Sequence, residues 1–251
     1  FINLPGQIGG AAAGNFMLLP AGGDSYSIPG ILSESSMLHT VLAHETAHLW
    51  WGCSVGISDT WLSEGLASYW ADQYAISTEG QAAYNSLHFD SYRLMYRLHE
   101  MFGEGWKKTA IENISHYYKA PYILNMLALE MGSDNLTETC RVFYESFSNK
   151  SPGLEEFIDI AQRHSEAPLD SFFACWVDSN FSQNYAIKNV ESKRVDSLYQ
   201  NYILLEKTGR ASSHIPLAIR YKDDTDASFV LQPGRLSYTW SSSDRLASVF
   251  I

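Results

Sequence analysis

The sequence predicts an α+β protein with a mainly helical part over residues 1–182 and a small β-sandwich over residues 183–251. Apolar residues recur at helical spacing through most of the first part. After about Phe181, short β-branched and aromatic runs alternate with Gly, Pro, Asp and Ser. With 251 residues and 45% hydrophobic content, the chain can bury one large core or a large and a small one.

The predicted elements follow this division. The first 30 residues are rich in Gly and Ala and predict a strand or two with flexible connections. The first helix is predicted from Ser35 to about Trp51, where Gly52 ends it. Further helices are predicted at residues 59–75, 81–102, 122–132, 136–148, 153–165 and 169–179. Strands are predicted at residues 185–194, 199–209, 215–224, 226–234 and 245–251.

Composition excludes several classes of function. The net charge of −11 argues against a nucleic-acid partner, because such a surface needs clustered Lys and Arg. No apolar run approaches the roughly 20 residues that cross a bilayer, so no membrane-spanning segment is expected in this chain. Cys53, Cys140 and Cys175 are too few and too widely spaced for a disulfide framework or a CxxC metal site. Because the chain begins at Phe1 rather than Met, we expect it to be part of a longer protein.

The stretch VLAHETAHLWWG, residues 41–52, carries the first sign of chemistry. His44 and His48 are four residues apart on a predicted helix, so both imidazoles can reach one ion at about 2.0–2.1 Å. Imidazole favours zinc, although copper, cobalt and nickel accept the same ligands. A catalytic zinc keeps three protein ligands and leaves a fourth position for water. The pair therefore predicts one Zn²⁺ per chain and a third ligand elsewhere.

Two carboxylates compete for the third position. Glu64, in TWLSEGLASYW, reaches the ion if the second helix folds back beside the first. Asp59 has the position of a helix N-cap, whereas a carboxylate inside a helix is held more rigidly, so Glu64 is predicted. Glu45 would lie beside the ion, where it can act as general base toward water that the zinc activates. This arrangement is typical of amide hydrolysis.

Four ordered segments resemble one protein family. HETAHLWWG and WLSEGLASYW resemble the HExxHxW and WLxEG signatures of the M1 aminopeptidases, which are zinc-dependent gluzincins with a thermolysin-like catalytic domain. YYKAPYILNMLALEMG resembles the family's YxKG segment and the helix after it, and LDSFFACWVDS resembles the segment that closes the catalytic region. The resemblance covers most of residues 10–180. It implies a thermolysin-like domain over residues 1–182, with further family domains before Phe1.

The resemblance also implies roles for individual residues. It implies three zinc ligands and a general base, which are His44, His48, Glu64 and Glu45. Tyr117 would donate a hydrogen bond to the oxygen that gains negative charge during hydrolysis, with Tyr118 and Tyr122 as alternatives. We expect Trp50 and Trp61 to pack the two metal-bearing helices together.

Two departures from the family pattern stand out. The 15 residues between His48 and Glu64 are fewer than the family usually has, which requires a shorter loop. The family's GxMEN motif corresponds to AAAGN, so Ala13, Gly14 and Asn15 are the predicted substrate-binding residues. Gly14 stands where the family has a glutamate for the substrate's free amino terminus. Because a buried ammonium without a carboxylate partner is costly, recognition of a free N-terminus should be weaker.

The sequence therefore predicts a zinc metallopeptidase of the M1 aminopeptidase type that acts on a peptide substrate. One alternative is the same hydrolysis without a requirement for a free N-terminus. Another is a catalytically inactive zinc-binding scaffold. The resemblance favours an extracytoplasmic bacterial location, periplasmic or membrane-associated, and the sequence leaves the oligomeric state open.

Overall fold

A computed structural model of the chain describes residues 2–5, 11–13, 16–21, 34–80, 84, 115–178, 185–207 and 214–251. The chain divides into two compact units, Phe1–Ala167 and Pro168–Ile251. Helices dominate the described part of the first unit, and strands dominate that of the second, in agreement with the predicted α+β class. The division falls before residue 182, because a short helix at the end of the predicted catalytic part belongs to the second unit.

The described residues at the start of the first unit form three short strands, where the sequence predicted one or two. They are β1 (Ile2–Pro5), β2 (Ala11–Ala13) and β3 (Phe16–Ala21). Their order is β1-β3-β2, with β1 parallel and β2 antiparallel to β3. Both β2 and β3 contact the first helix, so the edge of this small sheet adjoins the helix that carries the HExxH motif.

Five helices follow in the described part of the first unit. They are α1 (Glu34–Ala47), α2 (Thr60–Glu79), α3 (Ala120–Met131), α4 (Ser133–Phe147) and α5 (Leu154–His164). A single π-helical turn, Ser115–Lys119, leads into α3. The helix predicted at residues 81–102 lies outside the described residues, apart from Tyr84. None of the described helices combines the length and apolar character needed to span a bilayer.

Helix α1 ends at Ala47, although its pattern predicted an end near Trp51. The next backbone amides donate to carbonyls three residues back, at 3.0 and 3.1 Å, which tightens the chain into a turn. This turn reaches Gly52, whose φ of 137° suits a residue without a side chain. The His48 amide still donates to the His44 carbonyl at 3.2 Å, so the two histidines keep a spacing of one helical turn.

The loop between α1 and α2 is fixed by hydrogen bonds to the loop between α4 and α5. The Gly56 amide donates to the Lys150 carbonyl, and the Ser58 amide donates to the Pro152 carbonyl, each at 2.9 Å. Helix α2 then begins at Thr60, and the side chain of Asp59, the residue before it, accepts a hydrogen bond from the Leu62 amide at 3.1 Å. The predicted N-cap role of Asp59 is confirmed.

The core of the first unit forms where α2 to α5 pack in series. Its fully buried side chains come from all four helices and include Leu62, Leu66, Ile123, Leu124, Leu127, Leu136, Phe143, Phe157 and Ile160. Gly65 lies at the contact of α2 with α3, where an added Cβ would be 2.8 Å from the Ala120 Cβ. The two helices therefore approach this closely because residue 65 has no side chain.

The second unit begins with a short helix, α6 (Asp170–Phe173), and a π-helical turn, Ala174–Asp178. Six strands follow in its described part: β4 (Tyr185–Val195), β5 (Leu198–Lys207), β6 (Ile215–Tyr221), β7 (Asp226–Leu231), β8 (Ser237–Ser242) and β9 (Leu246–Phe250). They form two antiparallel sheets, ordered β4-β5-β8 and β7-β6-β9. Side chains from both sheets share one core, which contains Ile203, Leu205, Ile215, Leu217, Ile219, Leu231 and Trp240.

Strand β8 was not among the predicted strands. Its sequence, SYTWSS, alternates polar residues with aromatic ones, and the serines resemble a loop when read alone. Tyr202 and Thr239 pair across β5 and β8, and Trp240 on β8 is buried. This alternation of polar and aromatic residues is typical of a strand with one face exposed to solvent and the other packed on the core.

Candidate metal centre

Three side chains from α1, the turn after it and α2 converge on one point. His44 Nε2 and His48 Nε2 are 3.0 Å apart, and each is 3.2 Å from Glu64 Oε2. Two donors about 2.0–2.1 Å from a tetrahedral ion lie about 3.3 Å from each other, so this spacing fits one zinc ion. Among the residues that the structure describes, no other group of His, Cys, Asp or Glu side chains converges as a possible metal site.

The charges at this point also suit a cation. Burial alone would raise the pKa of the Glu64 carboxyl, but hydrogen bonds from His44 and His48 outweigh it and lower that pKa to about 2. Burial alone would lower the pKa of His48, but its hydrogen bonds to Glu64 and to the Trp51 carbonyl produce a net rise. Two ring nitrogens and an ionised carboxylate this close together repel one another unless a proton or a metal ion lies between them. The donor set therefore fits zinc.

Each histidine has a second ring nitrogen, Nδ1, which we call its outer nitrogen because it points away from the convergence point. The outer nitrogen of His48 contacts the protein backbone. Its Nδ1 lies 2.8 Å from the Trp51 carbonyl oxygen, which also accepts a hydrogen bond from the Ser63 hydroxyl at 3.0 Å. Because a carbonyl can only accept, Nδ1 carries a proton, and Nε2 is left as the nitrogen that would bind a metal ion at the convergence point. The turn that ends α1 early therefore sets the tautomer of one histidine.

The outer nitrogen of His44 meets a side chain instead. Its Nδ1 lies 3.2 Å from the Ser68 hydroxyl oxygen on α2. The sequence reasoning did not identify Ser68 or the contact of His48 with the backbone. The four-residue interval from Glu64 to Ser68 was the signal available, because it places both side chains on one face of α2.

Glu45 lies on α1 beside the convergence point, and its side chain is 5% exposed. Within the described part of the chain, its Oε2 has no hydrogen-bond partner. Burial raises the pKa of the Glu45 carboxyl, although the neighbouring histidines lower it in part. A buried carboxylate oxygen that is free of protein partners can accept a proton from a small molecule at the site.

Tyr117 lies in the π-helical turn before α3, a type of irregularity that is frequent at functional sites. Its ring centroid is 5.7 Å from that of His44, and its phenol lies close enough to the Glu64 carboxylate for the charge of Glu64 to act on it. Burial and the charge of Glu64 raise the pKa of Tyr117 to about 12, so the phenol stays protonated at neutral pH. These contacts favour Tyr117 as the tyrosine of the site. The Tyr118 side chain lies outside the described residues, and Tyr122 is partly buried on α3.

The other residues singled out in the sequence are the competing ligand Asp59, the proposed substrate contacts and Trp50. Asp59, the competing third ligand, caps α2, whereas Glu64 lies at the convergence point. Ala13 is the last residue of β2, and Gly14 and Asn15 lie outside the described residues. Trp50 is 46% exposed and lines a cleft together with Thr46 of α1 and Trp70 of α2.

The buried tryptophan of this segment is Trp51, the neighbour of Trp50. Its ring lies 6.5 Å from that of Phe143 and 6.2 Å from that of Tyr144, both on α4. Trp51 therefore packs the end of α1 onto α4. Trp61 is partly buried on α2.

The chain matches the model of a known protein family. Residues 30–176, more than half of the chain, match the family model described as the Peptidase family M1 domain. Glutamyl aminopeptidase from Rattus norvegicus is 22% identical over 224 residues, covering 83% of this chain and 21% of that protein. Aminopeptidase O from Homo sapiens is 21% identical over 181 residues, covering 56% of this chain and 22% of that protein. The chain thus spans about a fifth of the length of these curated relatives.

Solved structures share the fold. Aminopeptidase A from Legionella pneumophila, in complex with aspartic acid, gives a TM-score of 0.60 at 18% identity, covering 95% of this chain and 29% of that one. A mutant of the M1 zinc metallopeptidase from Deinococcus radiodurans gives a TM-score of 0.56 at 21% identity, covering 72% of this chain and 40% of that one. At these identities the likeness shows a common fold.

Proposed function

The chain belongs to peptidase family M1, and on that premise we propose that it is a zinc metallopeptidase of the aminopeptidase type. The observation that carries the proposal is the convergence of His44, His48 and Glu64 at 3.0–3.2 Å beside the buried Glu45. The proposal includes one Zn²⁺ per chain and a peptide substrate. It also assigns residues 1–182 to a thermolysin-like catalytic domain and residues 183–251 to a β-sandwich domain.

In this proposal, His44 and His48 bind the metal through Nε2, and Glu64 binds it through a carboxylate oxygen. The low pKa of Glu64 supports the role, because the ligand stays ionised and balances part of the cation's charge. When bound, zinc supplies Lewis-acid activation of water and polarisation of the peptide carbonyl.

Glu45 is the proposed general base. Its buried Oε2 accepts a proton from the water that attacks the carbonyl carbon, and the same carboxyl returns the proton to the amine as the C–N bond breaks. Glu64 and Glu45 therefore have separate roles. The environment of Glu64 lowers its pKa, whereas that of Glu45 raises its pKa, which makes Glu45 the stronger base.

Tyr117 is the proposed donor to the carbonyl oxygen of the substrate as that oxygen gains negative charge. Its phenol is protonated at neutral pH, and it lies against His44 and Glu64. A positioned donor of this kind typically contributes a rate factor of about 10²–10³. Ala13, Gly14 and Asn15 are the proposed substrate contacts. Ala13 ends β2, which lies at the edge of the described sheet and contacts α1.

Peptide hydrolysis by wild-type chain and by Glu45→Gln tests this proposal. We expect the substitution to lower kcat by about 10²–10⁴-fold, because it removes the base but keeps the shape of the side chain. The matched control is Glu79→Gln, at the exposed end of α2, which should keep wild-type turnover. Equal activity of Glu45→Gln and wild type would overturn the role of Glu45. Wild-type turnover that is abolished in Glu45→Gln, with zinc still bound, would exclude the inactive scaffold.

The sequence favours one variation of this function. Gly14 stands where the family has the glutamate that binds a free amino terminus, so we propose as a second candidate a peptidase that does not require that terminus. The test compares hydrolysis of one peptide with a free and with an N-acetylated amino terminus. Similar kcat/KM values support the second candidate, and strict preference for the free amine would exclude it.

A further inference from the structure

We infer that Ser68 is a positioning residue that orients the His44 imidazole for metal binding. The inference rests on the proposed zinc site. Its starting observation is the distance of 3.2 Å between the Ser68 hydroxyl oxygen and His44 Nδ1, the ring nitrogen directed away from the convergence point.

Two side chains of α2 hold the two nitrogens of this ring. Glu64 Oε2 lies 3.2 Å from His44 Nε2, and the Ser68 hydroxyl lies 3.2 Å from Nδ1. Because Glu64 and Ser68 are four residues apart, they lie one turn apart on the same face of α2. The imidazole on α1 is therefore fixed at both nitrogens by one helix, which defines the direction of its ring plane.

The hydrogen bond also selects the tautomer. A neutral imidazole has one donor nitrogen and one acceptor nitrogen, and a metal takes the lone pair of the acceptor. When His44 Nε2 binds the metal, Nδ1 carries the ring proton and donates a hydrogen bond to the Ser68 oxygen. Outer partners of this kind raise the affinity of a histidine for metal and fix its orientation.

The two histidines differ in a way that makes the inference testable. The outer nitrogen of His48 is bound by the backbone carbonyl of Trp51, which no side-chain substitution removes directly. The outer nitrogen of His44 is bound by a hydroxyl on Ser68, which a single substitution removes. A change at Ser68 should therefore loosen one zinc ligand and leave the contact of the other intact.

The experiment measures the zinc dissociation constant of the full chain by competition with a chromophoric chelator. We expect Ser68→Ala to raise the Kd about 10–100-fold. The matched control is Ser77→Ala, also on α2, where the exposed hydroxyl donates to the Tyr74 carbonyl at 2.7 Å. Its Kd should equal that of wild type. Equal Kd values for Ser68→Ala and wild type would overturn the inference.

A pair of isosteric variants separates the hydroxyl from the packing of the side chain. Ser68→Thr keeps the hydroxyl, and Ser68→Val has the same shape without it. We expect Ser68→Thr to bind zinc within about threefold of wild type and Ser68→Val to bind it at least tenfold more weakly than Ser68→Thr. Equal affinities in this pair would overturn the inference, and the pair decides the matter even if Ser68→Ala fails to fold.

Cobalt substitution gives a readout that a general loss of stability does not change. We expect the visible absorption spectrum of the cobalt-substituted Ser68→Val chain to differ from that of Ser68→Thr, because the geometry of the His44 ligand changes. Identical cobalt spectra for the pair would count against the inference. Failure of the wild-type chain to bind one zinc would instead overturn the proposed function, and the role of Ser68 with it.

Discussion

At the scale of single residues, the surroundings of each ionisable side chain separate roles that the sequence alone leaves equivalent. Glu64 and Glu45 are both glutamates near two histidines. Hydrogen bonds from the histidines lower the pKa of Glu64 to about 2, whereas burial raises the pKa of Glu45. One carboxylate is thereby suited to bind a cation and the other to accept a proton.

Tyr117 gives the first prediction at this scale. Tyr117→Phe removes the hydroxyl near the Glu64 carboxylate and keeps the ring beside His44. We expect kcat for peptide hydrolysis to fall about 10²–10³-fold with little change in KM, because the hydroxyl acts on charge that develops during the reaction. Steady-state kinetics check this, with Tyr74→Phe on the exposed part of α2 as control. A KM effect with unchanged kcat would assign Tyr117 to substrate binding instead.

Asp72 gives a prediction on stability and pH. It lies on α2, is 3% exposed and accepts a hydrogen bond from the Tyr84 hydroxyl at 3.0 Å. Burial raises the pKa of its carboxyl to about 7, although the hydrogen bond lowers it in part. The unfolded chain ionises this group near a pKa of about 3.9. Between pH about 4 and 7, the carboxyl is therefore ionised in the unfolded state but still protonated in the folded state. As the pH rises through this window, the free energy of unfolding falls.

We expect Asp72→Asn to remove this pH dependence. The contribution of Asp72 is on the order of 1.4 kcal/mol per pH unit inside the window and becomes constant above pH about 7. Urea unfolding across the window measures it, with chelator present to exclude proton competition at the metal centre. Asp159→Asn, an exposed substitution on α5, should keep the wild-type slope. Parallel profiles for Asp72→Asn and wild type would refute the assignment.

At the scale of secondary-structure elements, the metal centre depends on how α2 is held beside α1 and α3. The loop of residues 52–59 is bound to the loop between α4 and α5 by backbone hydrogen bonds, so a short connection still brings Glu64 to the histidines. Gly65, the next residue of α2, lies directly against Ala120 of α3. The position of Glu64 therefore depends on the close packing of these two helices.

Gly65→Ala tests this packing. The new Cβ would lie 2.8 Å from the Ala120 Cβ, so α2 and α3 must move apart. We expect the free energy of unfolding to fall by about 1–3 kcal/mol from overpacking, although alanine favours a helix by about 1 kcal/mol. Urea unfolding measures the change. In Gly153→Ala, the new Cβ meets its nearest atom at 3.4 Å, and the stability should stay within about 0.5 kcal/mol. A stabilised Gly65→Ala chain would contradict this account.

Part of this arrangement could be predicted from the sequence. The period of α1 and the spacing of His44 and His48 are local properties, so the sequence was sufficient for them. Glu64 also has a local signal, its position inside an amphipathic helix with an N-cap at Asp59. The Ser68 hydrogen bond was not predicted, because the four-residue interval from Glu64 places Ser68 on the same face of α2 but does not identify the partner of its hydroxyl.

Three features at this scale were not predicted from the sequence: the end of α1, the packing of Trp51 and strand β8. Helix α1 ends at Ala47 because backbone hydrogen bonds tighten the next turn, and the apolar pattern does not register that change. Trp50 and Trp51 are adjacent residues of the same type, but Trp51 is the buried one, and it packs against Phe143 of α4. Strand β8 depends on pairing with β5, which its serines do not indicate. For Trp51 and β8, a partner distant in the sequence decides the outcome.

At the scale of the whole molecule, the proposed metal-binding residues and the core between the two β-sheets belong to different units. His44, His48 and Glu64 belong to the first unit, whereas Trp240, whose indole N–H donates to the Tyr221 hydroxyl at 3.0 Å, lies in the core of the second. Each unit has its own buried apolar side chains. Metal removal should therefore affect the two units unequally.

Calorimetry of the full chain tests this expectation. Zinc at about 100 times its Kd stabilises the state that binds it by about 2.7 kcal/mol, so a chelator should lower one melting transition by about 5–10 °C. The other transition should stay unchanged, and Trp240→Phe should lower that one. Equal shifts of both transitions on chelation would contradict confinement of the metal to the first unit.

The central claim is that one zinc ion binds where His44, His48 and Glu64 converge. Elemental analysis of zinc per chain tests it most directly, on the wild type, Glu64→Ala and the exposed control Glu79→Ala. The account predicts one equivalent in the wild type and the control, and loss or strong weakening in Glu64→Ala. No zinc in the wild type after incubation with the metal, or an undiminished equivalent in Glu64→Ala, would contradict it.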